Sequence, residues 1–539
     1  MRLKSVLVEN HSRLADTSIE VRDHLVLVGP NDVGKSALIR CLDLLLGAST
    51  PQLYSRITPA DIRDVELPLV IEAVLDGFSE PDRGLFPDEI FVDPTTNSET
   101  LTVRVEVSTD STGSISINRT APAGGTGRQI SRDQITGLGW KMVGASARSR
   151  DLRDERDATV ADILHAIDLG EEKATFANLA EQVQATLSGS NTLADVRNRL
   201  AAQLSRALPQ PVGTDELAFV SGANAEDDPL SDVRLQVQRN GTTRNLTEQS
   251  DGMRALFAIA MYDLVSESAN IVAIDEPEIH LHPTSQRSLA GLLQSSGNQK
   301  IIATHSPDIV GAFLPEHIVT VKMGGRLVQP KAGFLSDDDR MVLRWWVRDK
   351  LEPLTASRVV GVEGISDRIL LEAAAEVTGR GLDRLGVSVV ETGGSGDMRS
   401  ILKLFGKNGF DIDMSRLIDL DAAEGAAHNL GVAITDLNAN SVWISDPDLE
   451  AEYVAALGAD IVWDALKASG RFSSNELLNC EPTGPAETRT EADVAAFCRL
   501  KSTYKVRAAM VVASFLTPAS ARNIASIESL LREIDAATS

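Results

Sequence analysis

The sequence predicts an α/β protein built as two sheet-and-helix bodies in series. Three observations carry that reading. A glycine loop, GPNDVGKS (Gly29 to Ser36), lies between a short apolar strand and a periodic helix. From Arg358 a fresh alternation of strands and helices begins, which implies a parallel sheet. Between the two, residues 151–208 are rich in Ala, Leu and Glu/Gln and nearly without Gly or Pro, so they read as helices.

The elements follow in order. LKSVLVEN alternates apolar and polar residues, and HLVLV (His24 to Val28) is a short β-rich run ending at Gly29. SALIRCLDLLLG has helical periodicity and stops at Gly47. ELPLVIEAVL, LTVRVEVSTD and GSISINRT read as strands. After the helical stretch, the β/α pattern resumes with VRLQVQRNG and runs to about Val328. LSDDDRMVLRWWVRDKLEPLTAS reads as a polar helical connector. Beyond it come VVGVEG, the helix SDRILLEAAAEV, the strand VSVVET, the helix MRSILKLFG and the strand RLIDLD.

At 539 residues the chain is too long for one core, so two to four domains are expected. With 43% hydrophobic and 24% charged residues it has the composition of a soluble globular protein. MRLKSVLVENHSRL carries charges within its apolar stretch and is not a signal peptide. The longest apolar runs, such as AAMVVASFL, fall far short of the ~20 residues that span a bilayer, so no membrane partner is expected. Cys41, Cys480 and Cys498 lie far apart with no CxxC, which fits a reducing cytoplasm and no zinc ribbon. The net charge of -25 argues against a generic nucleic-acid coat. A DNA substrate would have to be held by local basic patches, of which Arg148, Arg150, Arg153 and Arg156, and the segment RWWVRDK (Arg344 to Lys350), are the candidates. A solvated helix face explains either cluster equally well.

GPNDVGKS matches G-x-x-x-x-G-K-[ST] in the strand–loop–helix context that the motif needs. Gly29, Asn31 and Gly34 belong to the loop whose backbone N–H groups would wrap the phosphates of ATP. Lys35 would reach the β- and γ-phosphates, and Ser36 would ligate Mg²⁺. IVAIDEPEIHLHP ends a buried strand at Asp275, placed to hold the magnesium through water. The adjacent Glu276 is placed to polarise the attacking water as a catalytic base. IIATHSPD adds His305, within expected reach of the γ-phosphate. Glu278, His280 and His282 could be read as a metal cluster, but a packed segment following the acidic strand is the simpler reading.

A second acidic constellation fills the last third. VEGISD puts Glu363 at a strand end and Asp367 at the start of a helix. IDLD ends another apolar run with Asp419 and Asp421, placed on one side of the strand end by alternation. DPDLE adds Asp446, Asp448 and Glu450. Carboxylates gathered at the C-terminal ends of parallel strands form an oxygen-only pocket suited to Mg²⁺ or Mn²⁺. Two such ions can activate water and steady the leaving oxygen of a phosphodiester. Glu363 could also serve as general base.

The first set of motifs resembles the ABC-type ATPases of the SMC/RecF kind. The resemblance implies a serine- and glycine-containing signature that completes the ATP site of a second chain. LTEQSDGMRAL matches best, with Ser250 and Gly252 at the contact positions, although it departs from LSGGQ; Ser250 could equally be a helix N-cap. The second set resembles a Toprim domain, through E-G-x-S-D, the D-x-D pair and D-L-E. The four tyrosines include none in a topoisomerase-like context, and no zinc module of a primase is present. An SMC-like ATPase upstream of Toprim looks like the OLD (overcoming lysogenization defect) family, similar to the nuclease subunit of Gabija-type phage defence. That resemblance implies an ATP-binding, metal-dependent DNA endonuclease in phage defence, a homodimer or tetramer, and a helicase-like partner in some relatives. It also implies a late catalytic lysine, with Lys505 first and Lys501 second in KSTYKVRAAMVVASFL. The expected layout is ATPase over 1–150 and 211–345, a helical, dimer-forming insertion over 151–210, and a Toprim domain with C-terminal helices over 346–539. A rival reading keeps the folds but makes the ATPase a sensor and the Toprim domain a holder of an effector.

Overall fold

The computed structural model describes residues 1–110, 113–122, 128–143, 172–195, 198, 214, 236–239, 242–245, 270–279, 281–295, 297–335, 351–392, 401–485 and 488–538. The chain opens with β1 (Arg2–Glu9), β2 (Thr17–Glu20), β3 (Leu25–Val28) and the helix α1 (Lys35–Leu46). β4 (Leu69–Asp76), β5 (Ile90–Val92), β6 (Glu99–Thr109), β7 (Ile115–Ala121) and β8 (Arg128–Gln129) follow. These strands, without β3, form an antiparallel sheet in the order β2-β1-β4-β6-β7-β8, with β5 on β6. Period-two patterning explains its single buried face: Leu69, Ile71, Ala73 and Leu75 of β4 point inward together.

β3 belongs instead to a second sheet. Its other members are β9 (Trp140–Val143) and, after a hairpin of β10 (Gln236–Arg239) and β11 (Thr242–Asn245), β12 (Ile271–Asp275), β13 (Gln299–Ala303), β14 (Ile318–Lys322) and β15 (Arg326–Val328). The order is β15-β14-β3-β13-β12-β9, parallel except for β15. β3 and β12 up to Asp275 are apolar, and β13 is buried along its length, Gln299 and Lys300 included, because both faces are covered. On one face lies α1, packed into a core shared with the antiparallel sheet; Leu38, Ile39, Leu42, Leu45 and Leu46 are fully buried there. Of the expected helical insertion, α2 (Glu172–Gly189) is described and is helical.

The second body is a parallel sheet of β16 (Arg358–Val362), β17 (Val387–Glu391), β18 (Asp413–Asp419) and β19 (Val442–Ser445), ordered β17-β16-β18-β19. The helix α3 (Pro283–Ser295) belongs to the first body, and α4 (Ile365–Val377) connects β16 to β17. The helices α5 (Leu449–Leu457), α6 (Glu491–Arg499), α7 (Ser502–Phe515) and α8 (Ala525–Thr538) pack with α4 in one large core.

The two bodies do not meet only through a tether. Val26, Val28, Ile274 and Ile302 of the first body share an apolar cluster with Val359, Val390, Phe405 and Phe410 of the second. Around it, the Lys331 N–H donates to the Asn408 carbonyl at 2.9 Å, and the Lys322 ammonium donates to the Asp411 carbonyl.

Candidate nucleotide and metal sites

The glycine loop joins β3 to α1, as the motif requires. Gly34 sits at φ 117°, and a Cβ there would meet the Leu14 side chain at 2.7 Å and the Arg13 carbonyl at 3.0 Å. A Cβ on Gly29 would meet the Val321 carbonyl at 2.3 Å. Both positions therefore demand glycine on steric grounds. Lys35 is 5% exposed and donates to the Gly29 and Pro30 carbonyls at 2.9 and 2.7 Å. Burial pulls its pKa down, against the raising influence of Glu276 and Asp275. The Ser36 hydroxyl donates to Asp275 Oδ1 at 3.1 Å, so the two expected magnesium residues meet although 239 positions separate them.

β12 and β13 are register neighbours, with Asp275 opposite Ala303. This places Glu276 beside His305: Glu276 Oε1 stands 3.7 Å from His305 Nε2. Glu276 is held at φ 49°, an uncommon conformation for a residue with a Cβ. The arrangement fits a nucleotide phosphate chain: backbone donors and an ammonium on one side, a carboxylate and an imidazole on the other. Ser250 and Gly252 lie outside the described residues, as do His280 and both basic patches. Glu278 and His282 do not form a metal pair. Glu278 accepts from the His305 N–H, and His282 Nδ1 stands 3.0 Å from the Thr284 hydroxyl.

In the second body, ligand oxygens of Glu363, Asp419 and Asp421 lie within 4.8 Å of one another. Glu363 follows β16 and Asp419 ends β18, adjacent parallel strands. Glu363 Oε1 accepts from the Asp419 N–H at 3.2 Å. Asp421 reaches the cluster by a route other than strand alternation. It lies in the 3₁₀ turn Leu420–Ala422, after the strand has ended.

Lys505, on α7, enters from the side. Its ammonium is 3.1 Å from Glu450 Oε2 and 3.6 Å from Asp419 Oδ2. Lys501 stands at the N-cap position of that helix without a side-chain cap bond, its ammonium 5.3 Å from the Tyr504 ring centre. Asp367 and Asp448 spend oxygens on local backbone. Asp367 accepts from the Gly364 N–H at 3.0 Å and the Ser366 hydroxyl at 3.1 Å. Asp448 caps α5 by accepting from the Ala451 N–H at 2.8 Å and pairs with Arg499. Glu450 is buried and faces Lys505.

The electrostatics match the crowding. Burial, then Glu363 against the partial relief of Lys505, pushes the Asp419 carboxyl up to about 7. Burial likewise raises Glu363, Asp367 and Glu450. For Lys505 burial works downward, but Glu450 and Asp419 outweigh it and hold the ammonium above its ordinary value. Clustered carboxylates that resist ionisation side by side are a donor set that a hard divalent cation satisfies.

A family model described as an AAA domain, with AbiEii toxin and a type IV TA system in its description, matches residues 25–311, more than half of the chain. The chain belongs to this AAA-domain family. A second model, the Toprim domain of overcoming lysogenization defect-like proteins, matches residues 354–421. Among curated proteins, the chain is similar to the Old nuclease of Escherichia phage P2, at 27% identity over 58% of this chain and 58% of that protein. It is similar to the OLD nuclease of Thermus scotoductus at 24% identity, over 68% of this chain and 72% of that protein. Endonuclease GajA of Bacillus cereus aligns at 24% identity over 31% of this chain and 30% of its own length. The match thus spans little more than half of the phage P2 protein. Among solved structures, an Smc head domain from Pyrococcus furiosus is similar at 15% identity and a TM-score of 0.39, covering 64% of this chain and 99% of that one. The two family models, an AAA domain over residues 25–311 and an OLD-like Toprim domain over 354–421, stand in the order that the motifs implied. Among the described residues, no helix is long and apolar enough to cross a membrane.

Proposed function

We propose that this chain is a nucleotide-regulated, divalent-metal-dependent DNA endonuclease of the OLD type. The carrying observation is the convergence of Glu363, Asp419 and Asp421 with the Lys505 ammonium at adjacent strand ends. Glu363, Asp419 and Asp421 would hold Mg²⁺ or Mn²⁺, with Asp367, Asp448 and Glu450 supporting them. A bound ion supplies an activated water and charge for the leaving oxygen. Lys505 would stabilise negative charge on the phosphate from a fixed position, since its two carboxylate partners already orient it. Glu363, at the strand end beside Asp419, would also serve as general base toward the attacking water.

At the other site, Gly29, Asn31, Gly34 and Lys35 would cradle the phosphates of ATP. Ser36 and Asp275 would hold its Mg²⁺, and Glu276 would orient the water with His305 at the γ-phosphate. Ser250 and Gly252 of a second chain would close the site, making the working form a homodimer or tetramer. The apolar cluster that joins the bodies supports control of cutting by nucleotide state. DNA is the proposed substrate, the cytoplasm the proposed compartment and phage defence the proposed setting, with a helicase-like partner as in Gabija-type relatives.

The test is plasmid cleavage by the purified protein in Mg²⁺ or Mn²⁺, with and without ATP, beside Asp419→Ala. Metal-dependent nicking or linearisation lost in the variant is the expected result, and the ATP lane gives the sign of control. Undiminished cutting by Asp419→Ala would refute the assignment. Absence of cutting under every condition would favour a sensor whose Toprim domain holds an effector.

A further inference from the structure

The turn after the acidic strand holds a carboxylate that the nucleotide chemistry above does not use. Glu278 lies three residues past Asp275, in the turn where the Ile279 N–H bonds back to the Glu276 carbonyl at 3.2 Å. Its Oε1 accepts from the backbone N–H of His305, on the loop that leaves β13. That bond joins the two segments bearing the expected catalytic base and the expected γ-phosphate contact. A second tie runs the other way, from the Glu276 N–H to the Ala303 carbonyl at 2.8 Å. Together they fix the loop at His305 to the turn at Glu276, with the ring 3.7 Å from the Glu276 carboxylate.

The rest of Glu278 is arranged as a support. Its Oε2 is shut off from solvent and has no hydrogen-bond partner among the described residues, and neither has His305 Nε2. A buried carboxylate is retained at a cost unless something needs it. What it supplies is an acceptor for an N–H that would otherwise be an orphan at a strand end.

We propose that Glu278 is a positioning residue for ATP hydrolysis: it anchors the His305 backbone and thereby sets the imidazole against Glu276 and the γ-phosphate. The inference rests on the ATPase reading above and adds a residue to it. Glu278 does not touch nucleotide in this scheme, so ground-state binding, carried chiefly by the glycine loop and Lys35, changes little without it. Loss of the anchor lets His305 drift, and the loss falls on turnover.

The experiment is steady-state ATP hydrolysis by the full chain in Mg²⁺, comparing wild type, Glu278→Gln, Glu278→Ala, His305→Ala and the double variant Glu278→Ala/His305→Ala. ATP binding is followed separately with a fluorescent ATP analogue. Gln keeps an oxygen acceptor, so Glu278→Gln should retain kcat within about twofold. Glu278→Ala should lower kcat by about tenfold or more, with KM and analogue affinity changing little. In the double variant the Ala at 278 should cost nothing beyond His305→Ala, because it acts through that residue. Unchanged kcat in Glu278→Ala overturns the inference, as does a full additional loss in the double variant or an equal loss in Glu278→Gln. A wild type that binds the analogue but does not hydrolyse ATP overturns this inference together with the hydrolysis step beneath it.

Discussion

The two ends of the second parallel sheet treat acidic side chains in opposite ways. At the C-terminal ends of β16 and β18, Glu363 and Asp419 crowd together, and burial holds both carboxyls above their ordinary range. Near the opposite ends, Glu533 of α8 is enclosed by donors. Arg358 Nη1 lies at 2.6 Å, the Ser441 hydroxyl and the Trp443 indole N–H at 2.7 Å, and the Ser415 hydroxyl at 3.2 Å. Burial opposes its charge, yet these donors overcome it and hold the carboxyl below the ordinary glutamate value. One end satisfies its carboxylate with the protein's own hydrogen atoms and gains stability. The other packs its carboxylates against one another, with the Leu449 N–H at 3.1 Å and the Lys505 ammonium at 3.6 Å from Asp419, and leaves them hard to ionise.

The contrast breaks most sharply by substitution at the crowded end. Asp419→Ala should reduce plasmid cleavage by on the order of 10³-fold or more, while unfolding in chelator shows a melting temperature no lower than wild type. Lys505→Met should lower cleavage by about 10²-fold, as expected for a lost donor to a developing charge, with metal affinity retained in a calorimetric titration. At the satisfied end, Glu533→Ala should leave catalysis per folded molecule intact but cost about 3 kcal/mol in urea unfolding, because Arg358 and Trp443 lose their acceptor. The smallest effect is a pH dependence. The folded-state pKa of Glu533 is depressed, so its contribution is complete above the ordinary value of 4.5 and is lost as pH falls through the folded value. The stability gap between wild type and Glu533→Gln should narrow below about pH 4.5, and a constant gap there would dissociate the donors from the shift.

Why one end was legible in the sequence and the other was not follows from distance along the chain. Glu363 and Asp419 announce themselves because each ends an apolar run. The glycine loop, α1, β16 and α4 also carry local signals, and all form where expected. Asp421 joins the cluster for a reason other than the one expected, since it is carried in by a turn rather than by strand alternation. Asp367 and Asp448 look like ligands in sequence, and each also spends an oxygen on a backbone N–H at a helix start, a role that short acidic motifs share with metal binding. Glu533 gave no signal, because its partners lie 90 or more residues away and its helix looks like any amphipathic segment. Glu278, beside two histidines, reads in sequence as part of a packed segment rather than a metal cluster, and only the placement of His305 shows what it holds.

The apolar cluster shared by Val28, Ile302, Val359 and Phe410 has a thermodynamic consequence. Two bodies joined by a tether can melt in turn, each with its own enthalpy. Here the slab beneath the glycine loop and the slab beneath Glu363 are sides of a single filling, so opening either strips the other of its neighbour. The two bodies should therefore melt through that seam as one cooperative unit, seen as a single calorimetric transition. A nucleotide that tightens the first body would then protect the carboxylates of the second against unfolding without touching them.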